Sequence, residues 1–552
     1  MMKSKLKTLA GIIGAAILVS GCSGSPSSSS SSAAPSAGGS SAAPSSSAPA
    51  SQSESQSQAE SEEQSGFRAE KERTLTVFTT ESGNQPIKDF APAQQEIFKK
   101  TNIKIEFEIG NSDKRSILLA TNNLPDVVRI DAGGVREYGP TGIFTNVTDY
   151  MNQGKMPNLK GFYDQIDNLK KREVDGVLWA CPMIARNEAA NGFGPVLRAD
   201  LLEKHNIATP KTFDELLEAM KQLKEIYPDS KPWTGRKGTS QMLKTISYML
   251  GSGYGSNGLY YDYDLKKYVF GPATQEFKAV LGYMNQAYAA GVLDPDFATT
   301  TGDTLSAQMS SGQSFLFIDN SGFGQNYTKT LKKTVPDGKL QIIPIPENSF
   351  GQRRAILYET VLPGDFFAVN AKTKDPDTVM AFMDWMYSQE GSDISNYGVE
   401  GTSFEYDAEG QPHFIQDYIM QFKDAEPSTY YAVYSELGIT KLNFSLWAAN
   451  TMTSFEIEKM VGNWDDLTDE YWKIVEADDA YVTPIIDPSL SAEDNERVKD
   501  LTADLTTMLD QEYNKYIMGI EPIDNYDNVI AKAIEMGAQE IADIYNAANG
   551  NA

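Results

Sequence analysis

Apolar and polar positions follow three regimes along the 552-residue chain. Residues 9–19 form a short apolar run behind Lys3, Lys5 and Lys7. From residue 23 to residue 66 there is no Val, Ile, Leu, Met or aromatic side chain. Beyond Phe67 the periods of folded structure take over. The alternation in "TLTVFTTES" (74–82) predicts a buried strand, and "PAQQEIFKKTNIKIEFEIG" predicts a helix running into a second strand. "LPDVVRIDAGG" (124–134) predicts a third strand ending in a loop. This order argues for an α/β lobe with a largely parallel sheet.

Residues 176–226 carry two strand-like pieces, a short helix and a longer one, with Thr212 and Glu215 spaced as a capping box. Apolar stripes at 274–291 and 376–391 predict one helix each, the second burying Trp385, and the tail from residue 492 predicts two or three amphipathic helices.

The apolar run of 11 residues is too short to span a bilayer, which takes ~20, and behind its lysines it has the layout of a secretory leader. It ends at Leu18-Val19-Ser20-Gly21-Cys22, which resembles the lipobox of bacterial lipoproteins. That resemblance implies cleavage before Cys22 and acylation of its sulfur as a membrane anchor. The following segment is 20 Ser in 44 positions and cannot bury enough apolar surface to offset its ordering entropy. It is expected to be a disordered tether with a root-mean-square span of roughly 35 Å.

The rest of the chain is too long for a single core, so two or more lobes are expected. Net charge is −27, and loss of the three leader lysines takes it to −30. That balance opposes nucleic acid and anionic lipid surfaces, and it disfavours a polyuronate ligand. Cys181 is the sole cysteine after Cys22, so the mature chain is expected to hold it as a buried, inert thiol.

Six stretches then occur in one order: "LPDVVRIDAGGVREYGPTGIFTNVTDY", "PVLRADLLEKHNIATPKTFDELLEAMKQLK", "FGPATQEFKAVLGYMNQAYAAGVLDPDFAT", "MSSGQSFLFIDNSGFG", the run from "AVNAKTKDPDTV" through "GVEGTSFEYDAEGQP", and "YIMGIEPIDNYDNVI". Behind a lipobox and a Ser-rich tether, they resemble the extracellular solute-binding proteins of family 1, the sugar-binding subunits of ABC importers, within their large lipoprotein branch. The resemblance implies a two-lobed α/β fold of the periplasmic-binding-protein type II, a ligand cleft between the lobes and a helix-rich C-terminal part. It implies a leader at 1–21, the lipidated cysteine and tether at 22–66, a first lobe from 67–182 plus 360–398, and a second from 183–359 plus 399–552. Segments 179–183 and 359–370 would cross between lobes, placing Trp179, Pro182 and Tyr358 near the hinge. The implied partners are an oligosaccharide larger than a disaccharide, the permease subunits and the membrane through its lipid. A monomer without cofactor is expected.

A sugar cleft needs aromatic faces for C–H surfaces and polar side chains for hydroxyls. Trp447 in "NFSLWAAN", Phe323 in "IDNSGFG", Trp233 in "KPWTG" and Tyr254 in "SGYGS" lie in stretches with Gly, Ser or Asn rather than inside apolar runs, and are the candidate stacking residues. Trp179 joins them at the crossing. Glu81, Asp131, Asp319 and Asn320 follow or end predicted strands, where ligands of open α/β sheets bind. Arg198 is expected in a structural ion pair. "GYGSNG" (253–258) fits G-x-G-x-x-G but follows a helix and precedes a strand, the reverse of a dinucleotide fingerprint, and is expected to be a loop. His205 and His413 stand far apart, there is no D-x-D-x-D-G calcium loop such as some large relatives carry, and no G-x-S-x-G elbow. The function expected is a carbohydrate receptor. A secreted glycoside hydrolase with two cleft carboxylates and a peptide receptor remain the alternatives.

Overall fold

The alternating segments at the start of the folded chain build a five-stranded sheet in the order Ile103–Ile109, Arg73–Thr79, Val127–Asp131, Asp365–Val369, Cys181–Pro182. The first three strands are parallel, and the Asp365–Val369 strand joins Val127–Asp131 antiparallel. Leu75, Val77, Val127 and Val128 point into cores on the two faces, as the near-continuous apolar runs of a covered sheet require. These positions come from a computed structural model describing residues 66–186, 192–357, 362–440, 443–462, 475 and 478–550. The leader, Cys22, the tether up to residue 65, and Tyr358 lie outside the described residues. Residues 64–552 form one unit.

A second, four-stranded sheet runs Leu340–Ile342, Phe193–Arg198, Leu316–Asn320, Trp233–Thr234. Its core takes in Leu216, Met220, Phe277, Met284 and Leu316, closed by Leu505, Tyr513, Tyr526 and Ile541 from the three C-terminal helices Ala492–Ile517, Tyr526–Glu535 and Ala538–Ala548. The molecule is thus two α/β lobes, each with its own sheet and core.

The lobe boundary differs from expectation over 399–457 and again near Ile486. Phe404, Phe414, Tyr434, Phe444 and Ile457 pack into the core of the first sheet, with Val379, Trp385 and Tyr397. The segment from 399 to about 457 therefore belongs to the first lobe, and only the chain beyond it closes the second. Core membership shows further passages than the two expected: Ile457 is in the first core, Ala480 in the second, Ile486 in the first again and Leu505 in the second. Pro182 is not free to act as a crossing. It is hydrogen-bonded into the first sheet, opposite Phe366, and the chain leaves that lobe only after Ile184–Ala185 has paired with Trp447–Ala448.

Local signals account for most helix ends. Thr212 caps Phe213–Ile226 by accepting the Glu215 N–H at 3.1 Å, while the Glu215 carboxylate accepts the Lys211 N–H at 2.7 Å rather than that of Thr212. The stripe at 376–391 is two helices, Pro376–Trp385 and Gln389–Tyr397, separated where Ser388 Oγ accepts the Gly391 N–H. The strand at 127–131 ends in a helix, not a loop, because Asp131 caps Ala132–Tyr138. Arg198 pairs with Asp200 at 2.6 Å. Cys181 is free and fully buried, and burial pushes its thiol far above the ordinary range.

Asp294 ties the second lobe together. Its fully buried carboxylate takes Lys231 Nζ at 2.8 Å, Gln308 Nε2 at 2.7 Å and the Asp296 N–H at 3.0 Å. Burial alone would raise its pKa, but the ammonium and the N–H donors outweigh that and hold it below the ordinary aspartate value. A depressed folded pKa stabilises the fold above the unfolded pKa and loses that contribution as pH falls through the folded one. Urea unfolding midpoints should therefore drop as pH falls below the ordinary aspartate value of ~3.9. Asp294→Asn should cost roughly 1–3 kcal/mol at pH 7 and flatten that drop; an unchanged acid slope would remove Asp294 from the account.

Candidate functional site

Between the two cores lies a cavity of about 700 Å³, within the size range of small-molecule sites. The first lobe contributes Ala132 and Arg136, at the start and in the last turn of the helix after the third strand, together with Arg172 and residues 362–365 at the entry to the returning strand. Ala448, Ala449 and Met452 close one side, and residues 484–487 another.

The facing wall, from the second lobe, is tyrosine. The hairpin Leu259–Asp262 with Lys267–Phe270 supplies Tyr260, Tyr261 and Tyr268, its turn supplies Tyr263, and Tyr248 and Tyr545 flank it. The rings brace one another edge to face: Tyr261 stands 5.4 Å from Tyr263 and 5.3 Å from Tyr268, and Tyr248 lies 5.6 Å from Tyr263. The Arg354 guanidinium sits 4.1 Å from the centroid of Tyr248. Tyr268 donates to Asp487 at 2.9 Å and Tyr260 to Asp262 at 2.9 Å. Burial pushes the phenols of Tyr248, Tyr260, Tyr263 and Tyr268 up, Tyr263 to about 12, so these four are neutral donors at physiological pH. Two glycines make room for Tyr260: a Cβ on Gly253 would lie 2.1 Å from its ring, and one on Gly271 would lie 1.9 Å from the Gly253 carbonyl oxygen. "GYGSNG" is accordingly the loop that seats this ring.

Of the residues singled out from sequence, Tyr254 lines the cavity, although it is 4% exposed and stacked on Phe277 at 5.7 Å. The others sit elsewhere. Trp233 is 2% exposed in the second core, paired with Leu316 across the sheet, and offers no free face. Phe323 and Asp319 share Arg236, which lies 5.0 Å from the Phe323 centroid and 2.9 Å from the Asp319 carboxylate. Asn320 turns its side chain onto the Gly322 N–H at 3.0 Å. Asp131 caps its helix and pairs with Arg115 at 2.8 Å, and Glu81 is exposed and accepts the Ile87 N–H. Trp179 packs where Gly139 lacks a Cβ. Trp447 is covered on its face by the Arg186 guanidinium at 5.1 Å and on its edge by Phe162 at 5.1 Å.

The tyrosine wall and the cavity's arginines were missed. The signal was present in "LYYDYDLKKYVFG", five aromatics bracketed by glycines, but alternation with Asp and Lys gives it the pattern of an ordinary amphipathic hairpin. Among the described residues no group of three or more His, Cys, Asp or Glu side chains converges as a metal site.

Trp447 separates packing from ligand contact. Arg186 also forms a buried ion pair with Asp393, so Trp447→Ala should strip a face from that pair and cost about 3 kcal/mol, the lower end for a buried aromatic. A melting temperature equal to wild type in the unliganded protein would show that the ring is not structural.

Residues 79–393 match the family model described as bacterial extracellular solute-binding protein. The polygalacturonan/rhamnogalacturonan-binding protein YtcQ of Bacillus subtilis (strain 168) is 25% identical over 487 residues, covering 84% of this chain and 89% of its own length. Among solved structures, the alginate-binding protein AlgQ2 without calcium ion superposes with a TM-score of 0.71 at 21% identity, over 88% of this chain and 99% of its own. The solute-binding protein FusA of S. pneumoniae in complex with kestose gives 0.67 at 16% identity, over 87% and 100%. These structures are two-lobed binding proteins, not enzymes. No helix of the described residues is long and apolar enough to cross a membrane. The chain belongs to the bacterial extracellular solute-binding protein family.

Proposed function

We propose that this protein is the carbohydrate receptor of an ABC importer, capturing an oligosaccharide in the cavity between its lobes and delivering it to the permease. The observation that carries this is the tyrosine wall: braced, neutral, hydroxyl-bearing rings facing polar groups of the other lobe across about 700 Å³. Flat aromatic faces suit the C–H faces of pyranose rings, and the phenols, backbone carbonyls and guanidinium groups suit their hydroxyls. The name of the Bacillus subtilis relative, a binder of two plant polysaccharides, supports an oligosaccharide rather than a peptide. A sugar touching both lobes binds the closed arrangement better than an open one and shifts the population towards it. Cys22 would anchor the chain by its lipid, with the Ser-rich segment as tether, keeping the receptor near its transporter at raised effective concentration. The receptor would act as a monomer.

The test is calorimetry and thermal shift against an oligosaccharide panel, with the sugars recovered afterwards. Binding should raise the melting temperature, equivalent to ~2.7 kcal/mol at a hundredfold excess over Kd, and return the sugar intact; hydrolysis products would replace the receptor by an enzyme. Tyr261→Ala should weaken that binding by roughly 1–2 kcal/mol. Hydrogen exchange with ligand should slow in both the 259–270 hairpin and residues 362–369. Protection of one wall alone would overturn the clamp. Cys22→Ser should release the protein from the membrane fraction with its sugar affinity intact, and retention of the variant would refute the anchor.

A further inference from the structure

Three of the cavity's side chains are cations without an ion-pair partner among the described residues. Arg136, Arg172 and Lys244 all line it, and among the described residues none forms an ion pair with a carboxylate. The cavity's two carboxylates are engaged otherwise: Asp365 pairs with Arg129 at 2.9 Å, and Asp487 accepts the Tyr268 hydroxyl at 2.9 Å.

Arg172 is the most informative of the three. Its Nη2 donates to the Leu362 carbonyl at 2.6 Å and reaches that of Pro363 at 3.5 Å, while its Nε is buried without a partner. The guanidinium lies 5.7 Å from the Phe366 centroid. Desolvation, reinforced by the repulsion of Arg136 and opposed by Asp487, pulls its pKa down to about 10. It remains charged at neutral pH, in a place that solvates the charge poorly. Such a cation is stabilised by an anion brought from outside, and a guanidinium fork matches a planar carboxylate in two parallel hydrogen bonds. Arg354, stacked behind Tyr248 with a buried, unpartnered Nη2, adds positive potential from the tyrosine side.

We infer that the ligand is an acidic oligosaccharide, whose uronate carboxylates are held by Arg136, Arg172 and Lys244 while the tyrosine wall packs against its rings. This rests on the carbohydrate reading above and specifies the sugar class within it. The cations line the same cavity as the tyrosines, so one chain of uronate residues can meet both sets. A neutral oligosaccharide would leave Arg172 without an ion-pair partner, its Nε buried and unpaired and only the Asp487 carboxylate nearby to offset its charge.

The experiment is calorimetry of the full chain with oligogalacturonates, oligomannuronates and glucuronoxylan fragments, each compared with its own methyl ester and with neutral galacto- and xylo-oligosaccharides. At least one acid should bind ~10-fold or more tightly than its ester, the effect of one charge-assisted hydrogen bond pair. Arg136→Gln and Lys244→Gln should each lower affinity for the acid more than for the ester. Either variant serves if Arg172→Gln fails to fold through loss of its contact with Leu362. If esters or neutral oligosaccharides bind as tightly as every acid, the acidic ligand is wrong and the carbohydrate receptor stands. If no sugar of either kind binds, both are overturned.

Discussion

The antiparallel seam between Val127–Asp131 and Asp365–Val369 is the contact on which the rest of the architecture depends. The chain leaves the first lobe, builds the sheet of the second, and must return to this seam to complete the first sheet. The register sets Asp365 directly opposite Asp131, two like charges that would repel across the pair. Arg129 and Arg115 neutralise them one each. At the same end, the Ala132 N–H donates to the Gly364 carbonyl at 3.2 Å, fixing the helix start to the returning strand. Arg136, Gly364 and Asp365 are thereby delivered to the cavity on rigid backbone rather than on a long loop. The first lobe's half of the site is a consequence of strand pairing.

The second lobe reaches the same cavity by crowding. Tyr260 has a glycine on each side, Tyr261 leans on Tyr263 and Tyr268, and Tyr248 carries Arg354 on its face. Rings held this way have lost their rotamer freedom before any ligand arrives, so little further ordering is needed on binding. The two halves belong to separate cores, and the chain passes between them after Ala185, before Asp365 and again beyond Ile457. A ligand touching both walls therefore acts on the relative placement of two lobes with separate cores, the condition under which differential affinity shifts a population.

Much of the fold was legible because periodicity is local. The strand at 73–79, the helix at 213–226 with its Thr212 cap, the helix at 275–289 and the three terminal helices each carry their own pattern. The lobe assignment of 399–457 was not, because the apolar residues of that segment fit either core and only tertiary packing chooses. The site was less legible still. Trp233, between Pro232 and Thr234, has the flanks of a loop residue, yet two residues of pairing with Leu316 and Phe317 place it inside the sheet. Asp131, Asp319 and Asn320 were found at strand ends as expected, but short polar side chains there satisfy local N–H groups and nearby arginines first. The tyrosine hairpin carries the same alternation whether its rings face solvent, a core or a cavity. Alternation fixes that there are two faces, not what each one meets.

Net charge shows the same gap between global and local properties. A chain of −27 repels a polyanion at long range in low salt, but surface charges are screened beyond ~8 Å at physiological salt. The acidic surface therefore acts mainly on encounter, slowing the approach of an anionic chain, and hardly on the bound state. Inside the cavity the distances are those of direct contact, so the few groups lining it decide the interaction. There Arg136, Arg172 and Lys244 line a cavity whose two carboxylates, Asp365 and Asp487, are engaged by Arg129 and Tyr268. The same arrangement favours discrimination. An acidic surface holds fewer anions non-specifically, which leaves the cationic cavity as the place where a carboxylate gains most.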